Sequence, residues 1–323
     1  MQKKNIDVAI VGAGGMGALF GAILFENGVE VVLIDNNEKH VAAINSEGLK
    51  IEGYDGVQTM KVPATLRYSD LESADLIFFQ CKSYGTRDAA RSALCFCRED
   101  SVCISFQNGL GNEEIIAEEL GSEKVLGGLT TMAGMLLEPG RIRDFSRSPS
   151  HPGGVPSTIG EMEGGPSERV ARIAEKLTRA GLQTHASDNI RLEIWKKLMG
   201  NIATGAISGL TNFTIATLLG VPELKDVSLQ AIDEALEVAG ACGIVLDLEA
   251  VLKGLEMISI AGGTGDNKTS MCVDLLNQRP TELEFIYGKV IRFGEEKGIQ
   301  TPTLKTLHAL FKVAESKYLG NVG

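Results

Sequence analysis

VAIVGAGGMGALFGAILFENGVEVVLIDNN, residues 8–37, reads as strand, turn, helix and second strand. Asp7 to Val11 is short, branched and apolar, the pattern of a strand buried on both faces of a parallel sheet. Gly12, Gly14 and Gly17 then supply G-x-G-x-x-G, with a helix from Met16 to Glu26 beginning inside it. In a dinucleotide site one glycine makes the tight turn, one lets backbone approach a pyrophosphate, and one permits close helix-to-strand packing. The helix N-terminus turns unpaired N–H groups toward the phosphates. Gly12, Gly14, Gly15, Met16 and Gly17 are therefore the expected cofactor-binding residues of the turn. Glycine turns also serve plain packing. Here strand, motif, helix, Gly28 as helix stop and a second strand from Glu30 to Ile34 follow in the order a dinucleotide site requires.

Asp35 closes the second strand, where a carboxylate accepts hydrogen bonds from ribose hydroxyls and repels a 2′-phosphate. NADH is thus favoured over NADPH, since Asn36 and Asn37 supply no arginine. The other reading makes Asp35 a cap for the helix in NNEKHVAAINSEG.

Strand and helix patterns continue to alternate. Strands are expected at Lys61 to Leu66, Asp75 to Gln80, Val102 to Phe106, Lys124 to Thr131, Thr158 to Glu161 and Gln183 to Ala186, with a helix from Ser167 to Ala180. Such interleaving implies an α/β fold with a Rossmann-type doubly wound parallel sheet. Between them RIRDFSRSPSHPGGVPS, residues 141–157, has the composition of a mobile loop or hairpin excursion. After Ser187 apolar residues recur at helical spacing over Ile190 to Leu210, Pro222 to Cys242, Leu248 to Met257, Ser270 to Leu276, Glu282 to Lys297 and Pro302 to Tyr318. The expected division is a dinucleotide-binding domain over 1–186 and an all-helical domain over 187–323.

Composition restricts the function classes. The chain has 323 residues, 44% hydrophobic and 23% charged, with a net charge of −11 and no basic cluster, which argues against nucleic-acid or anionic-membrane partners. No run of about 18 apolar residues suggests a membrane span, and the N-terminus passes from lysines into a strand without a signal peptide, so a cytoplasmic location is expected. Six cysteines without a CxxC pair and four histidines offer no metal spacing, so reduced thiols and no metal are expected.

Three polar places exceed what packing needs. In FFQCKSYGT, Lys82 follows a buried strand at its carboxyl end, the ligand side of an open parallel sheet; it reads as a ligand or as a solvated helix-start lysine. In SFQNGLGNEE, Asn108 is placed to contact nicotinamide, ribose or substrate, or to build the turn. In RLEIWKKLMGNIATG, Lys197 and Asn201 lie four apart on one helix face with Ile194 and Leu198. A lysine among apolar neighbours has a lowered pKa suited to proton donation.

GAGGMG, CKSY, QNGLGNEE, WKKLMGN and TSMCVDLLNQRPTELEFI, in that order, resemble the ketopantoate reductase (2-dehydropantoate 2-reductase) family over nearly the full chain. The resemblance implies NAD(P)H-dependent reduction of a 2-oxo acid to a D-2-hydroxy acid, ketopantoate to pantoate on the route to pantothenate and CoA, in a cleft between two domains. It implies Lys197 as the general acid and Glu282 as a catalytic residue that contacts substrate and sets the lysine's environment. Ser270 and Asn201 become substrate ligands, with Ser270 on the carboxylate. Lys82 and Asn108 become cofactor-side and substrate-side polar residues. The partner is then a small 2-oxo acid, and a homodimer stays open.

The chain departs from the family at Gly205, where a second asparagine is common, in MAGMLLEPG after Thr131, and in the long 141–157 segment. These positions bear on substrate side-chain recognition. The alternative is an NAD-dependent D-2-hydroxyacid dehydrogenase for branched or aromatic 2-oxo acids. A non-catalytic dinucleotide sensor would need the glycines and Asp35 but not Lys197 with Glu282.

Overall fold

In the computed structural model, which describes residues 4–146, 156–260 and 263–320, the quoted stretch forms β1 (Lys4–Val11), α1 (Gly15–Glu26) and β2 (Val31–Ile34). β1 and β2 pair in parallel, with Val8 opposite Val31 and Val11 opposite Ile34. Gly28 takes φ +80 just past the helix end, a left-handed conformation that glycine adopts without a Cβ clash. From Gly17 to Leu24 every residue of α1 is buried. A helix with no polar face must be covered on more than one side.

Two sheets provide that cover. After α2 (Glu38–Glu47) come β3 (Leu49–Gly53), β4 (Gly56–Met60), β5 (Ala64–Thr65) and β6 (Leu71–Phe79). Then follow α3 (Thr86–Ala93), β7 (Cys97–Ser105), α4 (Asn112–Leu120) and β8 (Val125–Thr130). The strands β9 (Gly134–Glu138), β10 (Arg141–Asp144) and β11 (Ser157–Glu161), with α5 (Glu168–Arg179) and β12 (Thr184–Ser187), complete this half. The large sheet has the order β12-β11-β8-β7-β6-β1-β2-β5. It is parallel from β5 to β8; β11 then pairs antiparallel to β8 and parallel to β12. A smaller sheet, β4-β3-β10-β9, lies against the other side of α1.

That second sheet was not expected from the sequence. Part of the segment read as a loop or hairpin excursion is its strand β10, which is hairpinned with β9 and adds in parallel to β3. Ser157 at its far end opens β11, and residues 147–155 lie outside the described residues.

Side chains of β1 alternate between two cores, as the period of a strand requires. Val8 and Ile10 join α1, while Ala9 and Val11 join α3 and α4. Phe20 of α1 meets Phe78 and Phe106 edge to face, at ring separations of 6.4 and 5.1 Å. Such pairs contribute about 0.5–1.5 kcal/mol beyond area burial, and Phe106 anchors the strand end that leads into Gln107 and Asn108.

The second half is helical: α6 (Ile190–Thr211), α7 (Ile215–Gly220), α8 (Pro222–Ala241), α9 (Leu248–Ile258), α10 (Ser270–Leu276), a π turn at Glu284–Gly288 running into α11 (Lys289–Lys297), and α12 (Pro302–Leu319). No strand occurs among the described residues beyond Ser187. The short α7 was not anticipated; Thr214 caps it by accepting the Thr217 N–H. Trp195, Leu198, Met199, Ile202, Ala203, Ala206 and Ile207 form the inner face of α6 and build one core with α8, α11 and α12. Contacts divide the chain into two units, Met1–Gln107 with Asn112–Ile190, and Asn108–Gly111 with Arg191–Gly323. Asn108 thus belongs by contact to the helical unit. No helix among the described residues is long and apolar enough to cross a membrane.

Candidate active site

In the first unit the glycine-rich turn answers two different demands. A Cβ on Gly12 would lie 2.3 Å from the Cys81 nitrogen, one on Gly17 1.8 Å from the Gly12 oxygen, and one on Gly15 2.4 Å from the Gly134 oxygen. Those three glycines are required by the protein's own backbone. Gly14 is not: its φ is −60 and nothing lies within 4 Å of a Cβ built there. Gly14 is the N-cap of α1, no side chain caps that terminus, and the first turn holds no acidic residue. Open space over an uncapped helix N-terminus fits an anionic diphosphate. Met16, partly buried, packs its side chain against the core.

A donor overlooked at the sequence level strengthens that fit. Gln80 directly follows β6 beside Gly12 and Gly17, and its buried Nε2 has no hydrogen-bond partner among the described residues. Buried amide donors are nearly always paired, so an orphan beside this turn suits a bound acceptor such as a phosphate or ribose oxygen.

Asp35 does not cap α2; Asn37 does, by accepting the His40 N–H. Asp35 Oδ2 accepts the Ala13 N–H at 2.7 Å and Oδ1 the Asn37 N–H at 2.9 Å. The carboxylate therefore ties the glycine turn to the end of β2, and each oxygen keeps a lone pair for a further donor. His40, 1% exposed, braces the same turn from behind. Its Nδ1 accepts the Gly140 N–H at 2.9 Å, so Nε2 carries the proton and donates to the Ala13 carbonyl at 2.7 Å. Neither role of His40 was visible in the sequence, because Gly140 joins it only through the second sheet.

Lys82 follows β6 and begins the short turn Ser83–Gly85. A buried network holds that turn to the next one: Gln107 Nε2 donates to the Cys81 carbonyl (2.8 Å) and to Thr86 Oγ1 (2.7 Å). The Thr86 hydroxyl in turn lies 2.9 Å from both the Ser83 carbonyl and Asn112 Oδ1.

In the helical unit Lys197 Nζ donates to Asn108 Oδ1 at 2.9 Å. Asn108 is presented by a tight loop in which Gly109 and Gly111 have φ of +86 and +95. A Cβ at Gly109 would lie 2.7 Å from Phe285, and the Leu110 N–H bonds the Phe285 carbonyl at 2.9 Å, so the loop is seated on the π turn. Burial brings the pKa of Lys197 down to about 8 despite the opposing pull of the Glu282 carboxylate. Glu282 is itself 4% exposed. Lys197 therefore has two other expected residues in reach, Asn108 by hydrogen bond and Glu282 electrostatically.

Asn201 lies one turn further along α6. Ser270 is exposed at the first position of α10, and Thr269 just before it reaches the Gly205 carbonyl with its hydroxyl at 3.4 Å. Gly205 leaves no open space: a Cβ there would lie 3.0 Å from Met271 Sδ and 3.6 Å from Tyr287 Oη. The room of a second asparagine is filled by these two side chains. Among the described residues no cluster of histidine, cysteine or carboxylate is arranged to hold a metal.

Residues 8–163 match the family model described as ketopantoate reductase PanE/ApbA, and residues 189–315 the model of its C-terminal part. A 2-dehydropantoate 2-reductase of Pyrococcus abyssi is 33% identical over 312 residues, 96% of this chain and 98% of that one. One of Halobacterium salinarum is 29% identical over 309 residues, 95% and 98% of the two chains. Among solved structures, D-mandelate dehydrogenase with NADH and anilino(oxo)acetate aligns at TM-score 0.89 and 28% identity over 97% of this chain and 100% of that one. A PanE/ApbA family ketopantoate reductase from Ralstonia eutropha aligns at TM-score 0.87 and 29% identity, covering 97% and 100%. The chain belongs to the ketopantoate reductase PanE/ApbA family.

Proposed function

We propose that the protein reduces a 2-oxo acid, ketopantoate first among them, to the D-2-hydroxy acid, using a nicotinamide dinucleotide held by residues 1–186 and substrate chemistry supplied by residues 187–323. The carrying observation is Lys197, partly buried, hydrogen-bonded to Asn108 and facing Glu282. A bound nicotinamide supplies hydride. Reduction builds negative charge on the ketone oxygen, and an ammonium within hydrogen-bond reach stabilises that charge and delivers the proton. With a pKa of about 8, Lys197 is mostly protonated at neutral pH yet gives up its proton readily. Glu282 keeps the ammonium charged in spite of its burial, and Asn108 fixes the direction of Nζ. Ser270 and Asn201 hold the substrate carboxylate with uncharged donors. Lys82 stands at the cofactor side, at the ligand end of the parallel strands.

NADH is the preferred cofactor on this reading. Asp35 presents a carboxylate where a 2′-phosphate would come, and Arg67, the cation following β5, is paired with Asp70 at 2.9 Å. The chemistry belongs in the cytosol, where reduced dinucleotide and free thiols coexist.

A second reading, a D-2-hydroxyacid dehydrogenase for branched or aromatic 2-oxo acids, is favoured by one feature: where an asparagine is common this chain has Gly205, and Met271 and Tyr287 take up the room of that polar side chain. Both are tested by following oxidation of NADH and of NADPH with ketopantoate, 2-oxoisovalerate and phenylglyoxylate. Fastest turnover of ketopantoate supports the first reading and of phenylglyoxylate the second. Binding of NADH with turnover of none would leave a dinucleotide sensor instead.

A further inference from the structure

Just past Asn201 the hydrogen-bond ladder of α6 contains a group from another part of the chain. Tyr287 is fully buried. Its Oη accepts the Ala206 N–H at 3.0 Å and donates to the Ile202 carbonyl at 2.6 Å, with the Asn201 carbonyl at 3.5 Å. Ile202 and Ala206 are four residues apart, the pair that an uninterrupted α-helix joins directly. A side chain inserted at such a pair opens the turn and sets the direction of the helix beyond it. The phenol lies beside Gly205, where a Cβ would stand 3.6 Å from Oη, in ordinary van der Waals contact. Tyr287 also sits inside the π turn Glu284–Gly288. Such turns are single-turn irregularities that recur at functional sites.

We propose that Tyr287 is a positioning residue for the reductase: by clamping Ile202 and Ala206 to the segment that begins at Glu282, its hydroxyl sets the offset of Lys197 from Glu282. Each of the two charged groups lies a short way before the clamp on its own element, Lys197 ahead of Ile202 and Glu282 ahead of Tyr287. A small slip of one element past the other therefore changes their separation directly. Burial raises the pKa of the phenol, so the hydroxyl stays neutral and remains a donor at working pH. Glu282 is the charged group that opposes the desolvation of Lys197, and attraction between charges weakens as their separation grows. Losing the clamp thus moves the Lys197 titration to lower pH.

This inference rests on Lys197 being the proton donor, and its test has an arm that needs no turnover. Tyr287→Phe removes the hydroxyl alone. Tyr318→Phe is the control, because Tyr318 also donates to a backbone carbonyl, that of Arg279 at 2.9 Å, in the same unit. In protein carrying 13C-labelled lysine and no cofactor, the Lys197 resonance, assigned with Lys197→Arg, is titrated by NMR. Tyr287→Phe should lower its midpoint by about half a pH unit or more, and Tyr318→Phe should not move it. In steady-state assays the alkaline limb of kcat should shift by the same amount while the Kd for NADH stays unchanged. A Tyr287→Phe protein that melts earlier but titrates Lys197 as the wild type does overturns the proposal. Should it fail to fold, Tyr287→Met, a flexible apolar side chain that fills much of the ring's volume without the hydroxyl's donor and acceptor, is titrated instead; an unmoved midpoint again overturns it. Absence of turnover in the wild type would refute the reductase reading and leave the titration to decide Tyr287.

Discussion

At Lys197 two effects of opposite sign meet: desolvation drives the ammonium toward neutrality and Glu282 holds its charge, leaving a pKa of about 8. The reduction rate should therefore fall as pH rises through about 8, because the proton donor is lost, while oxidation of the hydroxy acid gains over the same range. A pH profile of kcat in both directions checks this. Lys197→Ala should lower kcat by roughly 10²–10⁴ with the Kd for NADH nearly unchanged. Lys196, exposed on the same helix, is the control and should cost little. Folding also depresses this lysine's pKa, so the buried charge opposes folding below about 8 and is relieved as pH rises toward the ordinary lysine value of 10.5. Lys197→Met should accordingly be inactive yet melt higher at pH 7, and a lower melting temperature would show that the ammonium is held by more than Asn108 and Glu282. At Asp35, replacing it by serine together with Asn36→Arg should shift the ratio of NADPH to NADH affinity upward. Both affinities should fall somewhat, since the Ala13 N–H loses its acceptor. Wild-type protein that already binds NADPH more tightly would refute the assignment of Asp35.

At the scale of elements, α1 explains both the legible and the hidden parts of the fold. Its glycine signature and its place between two apolar strands mark a βαβ unit without any tertiary knowledge. The run GMGALFGAILFE has no polar face, and that absence was the available sign that a second layer must cover it. The sheet that does so is built from short strands separated by most of the domain, with β3 pairing β10. Periodicity within a window cannot reveal that pairing. The turn ahead of α1 yields a sharp comparison. Gly14→Ala should fold with wild-type stability and bind NADH at least about tenfold more weakly, since its methyl enters open space that we assign to the diphosphate. Gly17→Ala should instead lose stability outright, because its methyl collides with the Gly12 carbonyl. Thermal melts and fluorescence titrations of the pair distinguish a cradle for a ligand from a turn that merely packs. His40→Phe, which keeps the ring but frees the Ala13 carbonyl and the Gly140 N–H, should weaken NADH binding more than it lowers kcat.

For the whole molecule, cofactor binding must appear as stability. At a concentration of about 100 Kd, NADH should add about 2.7 kcal/mol to the unfolding free energy of whatever cooperates with the first unit. Calorimetry with NADH and NADPH at equal concentration then ranks the two cofactors without any substrate. The glycine turn, the alternation of strands and helices, the helical second half and the pairing of Lys197 with Asn201 on one face were all determined locally, by steric and periodic rules acting over a few residues. Glu282 and Ser270 were singled out only through motif resemblance, since nothing in the sequence immediately around them distinguishes them from surface residues of a helix. The seat of Asn108 on Phe285, the brace of His40 behind Ala13, the orphaned amide of Gln80 and the filling of the Gly205 gap by Met271 and Tyr287 were decided only by tertiary structure. All depend on residues far apart in the chain: three join such residues through a backbone group or a packed side chain, and the Gln80 amide is buried by them without a partner. A sequence states which groups it has; which of them share a buried volume, and so which must pair, is settled when the chain closes on itself.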